Sequence, residues 1–261
     1  MEKMVHFSTL NLDIYCETEV EITKRIETFA EDGIKTGLAL HFAAASVFVE
    51  SSKSEKLLKL LRQGIVYCDS RPMFWYLRSQ GKRRVQLSQS RGTGYMSYVW
   101  NKGTQIPFRH FLIAPDEETA NKLEQQFIAN GVNGKVVGHL VPTFTNDIQS
   151  LFDQSIFPIK ESKAEVIWIG IGAPKQIVLA NRLCETLPII ALTVGAAFEI
   201  VSGTKLQAPK IFQRFGLEWL FRWVQEPRRL LGRYTIGNIR FLKILINDIC
   251  INLWKNRSRN A

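Results

Sequence analysis

The chain has 261 residues, 46% of them hydrophobic and 22% charged, with a mean hydropathy of −0.05 and a formal net charge of +10. That composition suits a soluble globular protein, with enough chain for one large α/β domain plus an appendage or for two small domains. Its four cysteines, Cys16, Cys68, Cys184 and Cys250, form no Cys-x-x-Cys pair; the pattern argues against a zinc knuckle or a disulfide framework and for reduced thiols in a cytosol.

Charge is distributed unevenly. Residues 1–204 carry 22 Lys and Arg against 21 Asp and Glu, whereas residues 205–261 carry 12 Lys and Arg against only Glu218, Glu226 and Asp248. Nearly all the positive charge therefore lies in the last fifth of the chain, which points to a polyanionic partner: a membrane surface, a nucleic acid or a phosphorylated ligand. The N-terminus mixes Glu2, Lys3, His6 and Asp13 with apolar residues and has no hydrophobic signal region, so no signal peptide is expected.

Taken in order, residues 7–14 alternate as a first strand and residues 19–29 read as a helix with Val20, Ile26 and Phe29 on one side. A second strand follows at 36–42, then helices at 43–50 and 54–62, and a short apolar strand at 64–68 that ends at Asp69. Residues 73–77 look helical, 82–97 are basic and polar, and Arg91, Gly92, Thr93 and Gly94 read as a loop. The alternation resumes with a strand at 110–114, a helix at 116–130 opened by Asp116, Glu117 and Glu118, a strand at 135–140 and a helix at 144–152. Residues 164–171, 174–187 and 188–194 read as strand, helix and strand. Strands alternating with helices predict a mostly parallel sheet covered on both faces, a Rossmann-like core over 1–204. From Lys205 the texture turns basic and aromatic, and 236–254 reads as a mostly apolar helix interrupted by Arg240, Lys243, Asn247 and Asp248. It is too polar to span a bilayer. The two readings open to it are a packed C-terminal helix and an interfacial amphipathic one.

The organising stretch is 166–176. Apolar residues lead into Gly170 and Gly172, where the backbone turns and leaves room for a ligand. Pro174, Lys175 and Gln176 then open a helix. A cation and an amide beside free backbone donors make an anion site, although the third glycine of a dinucleotide fingerprint and a Walker A loop are both missing. A plain strand–helix connection is the other reading. Asp69 stands at a strand's carboxyl end, where parallel sheets hold ligands, and is either a general base or a helix cap. His41 ends the preceding strand and is either its neighbour in the site or structural. The remaining histidines have no metal-ligand spacing, and neither His-Glu-x-x-His nor Gly-x-Ser-x-Gly occurs. Gly195, Ala196 and Ala197 form a second strand-to-loop junction, with Glu199 beyond it as a candidate for sugar or nucleotide hydroxyls. Arg222, Arg228, Arg229 and Arg233 recur with Trp219, Trp223 and Tyr234, a mixture suited to diphosphate and to a membrane interface.

Gly170-Ile-Gly-Ala-Pro-Lys-Gln176 and Gly195-Ala-Ala-Phe-Glu-Ile-Val-Ser-Gly203, followed by Ala208-Pro209, Gly216-Leu-Glu-Trp219, Arg222, Glu226-Pro-Arg228 and Arg233-Tyr234, together resemble the WecG/TagA/CpsF glycosyltransferases of bacterial cell-surface polysaccharide synthesis. The resemblance implies a Rossmann-like core with a membrane-docking appendage, here residues 205–261. It implies inverting transfer of a sugar from a UDP-sugar to a polyprenyl-diphosphate-linked saccharide with no essential metal, on the inner face of a bacterial plasma membrane. It also implies Asp69 as the base, a site shared with His41 and Gln176, and donor contacts at Gly170, Gly172, Lys175, Gln176, Gly195 and Glu199. Arg222, Arg228, Arg229 and Arg233 would meet diphosphate and membrane. Where the family has Thr-Pro-Asn this chain has His41-Phe42-Ala43, and where it has Asp-Gly this chain has Asp69-Ser70; Ile177 and Gln207 also depart. These differences leave the N-acetylmannosamine specificity of the best-known members without support here and suggest a divergent exopolysaccharide or capsule branch. A catalytically inactive binding module is the rival reading. Nucleic acid is not an expected partner, and a homo-oligomer interface is the other use open to the appendage's apolar faces.

Overall fold

A computed structural model describes residues 3–80, 86–225 and 227–260, with side chains outside 227–235 and 255–260. One sheet of eight strands organises the chain, in the order β1-β2-β4-β3-β8-β7-β5-β6. The strands are β1 (Met4–Phe7), β2 (Leu12–Tyr15), β3 (Leu38–Ala43), β4 (Ile65–Cys68), β5 (Arg109–Ile113), β6 (Lys135–Leu140), β7 (Val166–Ile169) and β8 (Ile190–Thr193). All neighbours are parallel except β1 and β2, which form an antiparallel pair at one edge. The single first strand expected at 7–14 is therefore two strands, separated by a 3-10 turn (Ser8–Leu10) with Asn11 in the left-handed region at φ 47°. The central strands β7 and β8 are buried throughout, as strands covered on both faces must be.

One face of the sheet carries α1 (Glu19–Ala30), α5 (Gly92–Lys102), α6 (Glu117–Ala129) and the short α9 (Ala197–Val201). A row of stacked rings lies beneath α5: Phe42 on Tyr67 at 5.2 Å, Phe42 on Tyr95 at 5.6 Å and Tyr95 on Trp168 at 5.9 Å. The other face carries α2 (Ala45–Ser51), α3 (Glu55–Gln63), α7 (Ile148–Ser162) and α8 (Lys175–Thr186), with α4 (Arg71–Gln80) at the β1–β4 end. Helix starts follow side-chain chemistry. Thr18 and Glu21 form a reciprocal capping box, and Asp116 accepts from the Thr119 N–H at 2.7 Å.

Three further expectations need correction. Helix α5 begins at Gly92, where a loop was expected. The glycines are there for packing, since a Cβ at Gly92 would stand 3.2 Å from the Val194 carbonyl and 3.3 Å from the Phe42 side chain. Helix α7 runs to Ser162 through Pro158, well past the expected end at 152. Burial of Leu151, Ser155 and Ile159 holds it together despite a proline that ordinarily ends a helix. The last helix, α12 (Pro227–Asn260), follows α10 (Lys210–Arg214) and α11 (Glu218–Gln225) and is much longer than the periodic stretch 236–254.

Helix α12 is docked, with Phe241 and Ile244 buried against α2 and the core. Asp248, 1% exposed, accepts from the backbone N–H of Thr9 and from the Tyr76 hydroxyl at 2.6 Å. Asn252 extends the contact to Ser8 at 3.0 Å. Among the described residues no helix is long and apolar enough to cross a membrane.

Candidate active site

The two halves of the sheet meet where β3 pairs with β8, and the N-terminus of α5 rests over their carboxyl ends. Crevices at such meeting points are where doubly wound sheets hold ligands. Asp69 follows β4 directly, its backbone N–H donating to the Ala43 carbonyl at 3.2 Å. Its carboxylate is no cap for the helix that follows it; Ser70 takes that place, accepting from the Met73 N–H at 3.5 Å. Oδ1 of Asp69 instead accepts from the Gly92 N–H at 3.1 Å, at the positive end of α5. Oδ2 has no hydrogen bond among the described residues and is the oxygen left to take a proton. Burial lifts the Asp69 carboxyl above its usual range, while the Arg91 guanidinium, the Gly92 N–H and Arg222 pull it back; the net direction is upward.

A second layer surrounds that carboxylate. The Gln89 amide donates to the Asp69 carbonyl at 2.7 Å and accepts from Arg71 at 2.8 Å. Ser88 and Ser90 tie the same segment to Cys16 and Glu17 at the end of β2. Arg91 turns outward to the C-terminal helices: Nη1 donates to Gln213 of α10 and Nη2 to Glu218 of α11, both at 2.6 Å. Burial raises the Glu218 carboxyl, Arg91 lowers it, the nearby Asp69 charge raises it, and Arg222 and Arg71 lower it. Two carboxylates and three guanidinium groups thus share one region. The Nε–H donors of Arg71 and Arg91 are buried there without a partner among the described residues, and orphaned donors of that kind call for a ligand or water.

The structure separates the other expected site residues. His41 is a core residue and does not face Asp69. Strand β3 continues two residues past it to Ala43, and His41 points to the α3/α8 face while the Asp69 carboxylate turns toward α5. Asn181 donates to Nε2 and Nδ1–H donates to Thr193, each at 3.2 Å, so the neutral ring has no free nitrogen. Burial drives its pKa down to about 3. Gly170 is not open space for a ligand either, because a Cβ there would lie 2.5 Å from the Phe198 ring. Gly172 does turn at φ 87°, with nothing within 4 Å of a Cβ position.

Gln176 is buried, and its side-chain oxygen accepts from the Gly172 N–H at 3.1 Å, tying the β7–α8 loop shut. Its amide lies 3.5 Å from a Cβ position at Gly195, itself at φ 56°, so the two glycine turns are joined through this glutamine. The Lys175 ammonium is occupied by the Thr145 carbonyl at 2.6 Å and stands 4.5 Å from the Phe144 ring centre. Glu199 pairs with Lys205 at 2.6 Å. Arg222 is at the site through its effect on Asp69 and Glu218, whereas the side chains of Arg228, Arg229 and Arg233 lie outside those described.

Sequence reasoning gave no role to Gln89, Arg91, Gln213 or Glu218. Arg91 and Gln89 sit in a polar stretch with no periodicity, and only the fold shows that this stretch passes beside Asp69. Glu218 had a signal, since it lies in the Gly216–Trp219 motif.

The sequence model of the glycosyl transferase WecG/TagA/CpsF family matches residues 7–255. That span takes in the strand-end aspartate, both glycine turns and the C-terminal helices that close over Asp69 through Arg91. The chain belongs to the WecG/TagA/CpsF family and is a glycosyltransferase.

Proposed function

We propose that the protein transfers a sugar from a UDP-sugar to a polyprenyl-diphosphate-linked saccharide, with inversion, while docked on an anionic membrane surface during bacterial exopolysaccharide or capsule synthesis. The observation that carries the reading is the Asp69 carboxylate, with one oxygen held by the Gly92 N–H, the other without a hydrogen bond among the described residues, and a proton affinity above that of an exposed aspartate. In a single displacement Asp69 takes the proton of the acceptor hydroxyl as that oxygen attacks the anomeric carbon. The bond to the donor diphosphate breaks on the opposite face. A positioned base of this type contributes roughly 10²–10⁴-fold.

The leaving diphosphate gains negative charge as the bond breaks. This reading assigns its stabilisation to the chain's own donors: the buried Nε–H groups of Arg71 and Arg91, Arg222, and the open backbone turn at Gly172. No resident metal is invoked. Helix α12 supports the membrane part of the reading. Its outer face exposes Ile236, Ile239, Leu242, Ile246, Ile249 and Leu253 at three- and four-residue spacing, opposite the buried Phe241, Ile244 and Asp248, with Arg240 and Lys243 alongside. An apolar stripe flanked by cations suits the surface of an anionic bilayer.

The Asp69→Asn variant tests the role of the base. It preserves shape and the contact with Gly92, so UDP-sugar binding measured by calorimetry stays within a few-fold of wild type while transfer falls by roughly 10²–10⁴-fold. Transfer at the wild-type rate removes Asp69 from the role. Donor binding without turnover in the wild-type protein, across a broad panel of sugars and acceptors, would favour the binding-module alternative.

A further inference from the structure

Arg91 and Gly92 are consecutive residues that face two ways. The Gly92 N–H holds Asp69 Oδ1 at 3.1 Å, and the Arg91 guanidinium grips α10 and α11 through Gln213 and Glu218 at 2.6 Å each. Both Arg91 and Glu218 are only about one-fifth exposed, 20% and 22% respectively. The pair is thus more shielded than an ordinary surface ion pair, where exposure and salt reduce the coupling. The same C-terminal segment is wedged against the start of α4: a Cβ at Gly216, at φ 68°, would stand 3.3 Å from the Pro72 ring. Position 91 therefore links the C-terminal helices by hydrogen bonds to its neighbour, Gly92, which holds the carboxylate of the candidate base, alongside the direct charge effect of Arg222.

We propose that Glu218 is a positioning residue that couples docking of α10 and α11 to the readiness of Asp69, acting through Arg91. Two effects follow from its place. Mechanically, the Arg91–Glu218 ion pair fixes the first turn of α5, and with it the Gly92 N–H that orients Asp69. Electrostatically, Glu218 occupies Arg91 and adds a second negative charge beside Asp69, so both effects keep the base more proton-hungry than it would be against a free guanidinium. The groups that act on Asp69 are Arg91 and the Gly92 N–H from the α5 start and Arg222 and Glu218 from α11; Arg71 of α4 acts on Glu218, and the adjacent Cys68 thiol, packed in the core, is kept protonated by burial. The coupling means that Asp69 is fully set only when the basic C-terminal helices are seated. In the proposed function, that is when they also meet the lipid-linked acceptor.

The inference rests on Asp69 as base, and the test separates the two. Full-length Glu218→Gln, the charge-exchanged pair Arg91→Glu with Glu218→Arg, and Asp69→Asn are compared in acceptor-dependent UDP release and in hydrogen exchange over residues 210–225 and 91–95. For Glu218→Gln the expected result is a fall in kcat of at least about tenfold, with the donor KM within about threefold. The acid limb of the kcat–pH profile moves to lower pH, because one repelling charge is gone and Arg91 is freed. Exchange rises in both segments and is restored in the charge-exchanged pair, whose ion pair re-forms. A Glu218→Gln enzyme with wild-type kcat and an unmoved acid limb, alongside an inactive Asp69→Asn, overturns the coupling and leaves the base intact. If Asp69→Asn is active, the base assignment fails and exchange alone decides: faster exchange in Glu218→Gln upholds the docking role, and unchanged exchange removes it.

Discussion

At the scale of single residues, the contrast between Asp69 and His41 shows which of the two is placed to meet a ligand. His41 lies in β3 and Asp69 directly follows the neighbouring parallel strand β4, yet the alternation of the extended chain sends the two side chains to opposite faces of the sheet. Asp69 keeps one oxygen without a hydrogen bond among the described residues and a raised proton affinity, whereas His41 is sealed between Thr193 and Asn181. The sealed ring has a consequence for stability. Its pKa is about 3 in the folded chain and returns to the ordinary histidine value on unfolding. Between those values the unfolded state binds the extra proton, so stability is lost as pH falls below about 6.5. His110, also buried and also lowered to about 3, acts in the same sense. The raised Asp69 carboxyl acts oppositely, gaining protons more readily when folded. A His41→Gln variant should therefore lose about 2 kcal/mol less stability than the wild type between pH 7.5 and 5. Urea titrations at the two pH values measure this; identical losses in both proteins would show that His41 is not held neutral.

Individual elements show what the sequence made legible. Short apolar runs located every interior strand, and the acidic helix start at Asp116 and the Asp69 strand end were visible because helix-start and strand-end chemistry are local. The edge hairpin β1–β2 was not, since its turn is a short 3-10 segment, Ser8–Leu10, without the Gly or Pro that usually marks a turn. The start of α5 was hidden by Gly92 and Gly94, which usually mark loops; here Gly92 permits contact with Val194 and Phe42, and Gly94 lies against the Glu19 carboxylate. Likewise, the site residues missed were those joined by long-range contacts: Gln89 to Asp69, and Arg91 to Gln213 and Glu218. Helix α12 gives the clearest case of a local sequence with a non-local reason. Asp248 interrupts an apolar helix, and the structure uses it as the acceptor for Thr9 and Tyr76. Burial, and then the adjacent Asp248 carboxylate, push the Tyr76 phenol above its usual pKa, so it remains a donor. Replacing Asp248 by Ala strands two buried donors and should cost about 2–4 kcal/mol. Chemical denaturation gives the value, and protease cleavage within α12 at native conditions shows where the loosening occurs. A loss below about 0.5 kcal/mol would mean that the helix is seated by Phe241 and Ile244 alone.

At the scale of the whole molecule, one end of the sheet carries the proposed base and one long helix carries the exposed apolar stripe. Because α12 packs on α2 and on the β1–β2 turn, the stripe is held rigidly relative to Asp69. A protein seated on a bilayer by α12 would therefore present its strand-end crevice in a fixed orientation to a lipid-linked acceptor. Replacing Ile239, Leu242 and Ile246 together by Glu should leave the fold intact, since all three are exposed. It should cut co-sedimentation with anionic vesicles at least about tenfold, by removing apolar insertion and by placing negative charge at an anionic surface. Unchanged sedimentation, with a monomeric wild type becoming no less soluble, would put the membrane contact elsewhere; a wild-type oligomer dissolved by the same substitutions would assign the stripe to a subunit interface.

The most direct measurement is a donor screen on the full-length protein with anionic vesicles that contain a polyprenyl-diphosphate-linked sugar. UDP-glucose, UDP-galactose, UDP-glucuronate, UDP-N-acetylglucosamine and UDP-N-acetylmannosamine are offered in turn, and UDP release is recorded with and without the acceptor. The account predicts acceptor-dependent release from one of these donors, lost in Asp69→Asn. Release that ignores the acceptor, or acceptor-dependent release undiminished in Asp69→Asn, would contradict it.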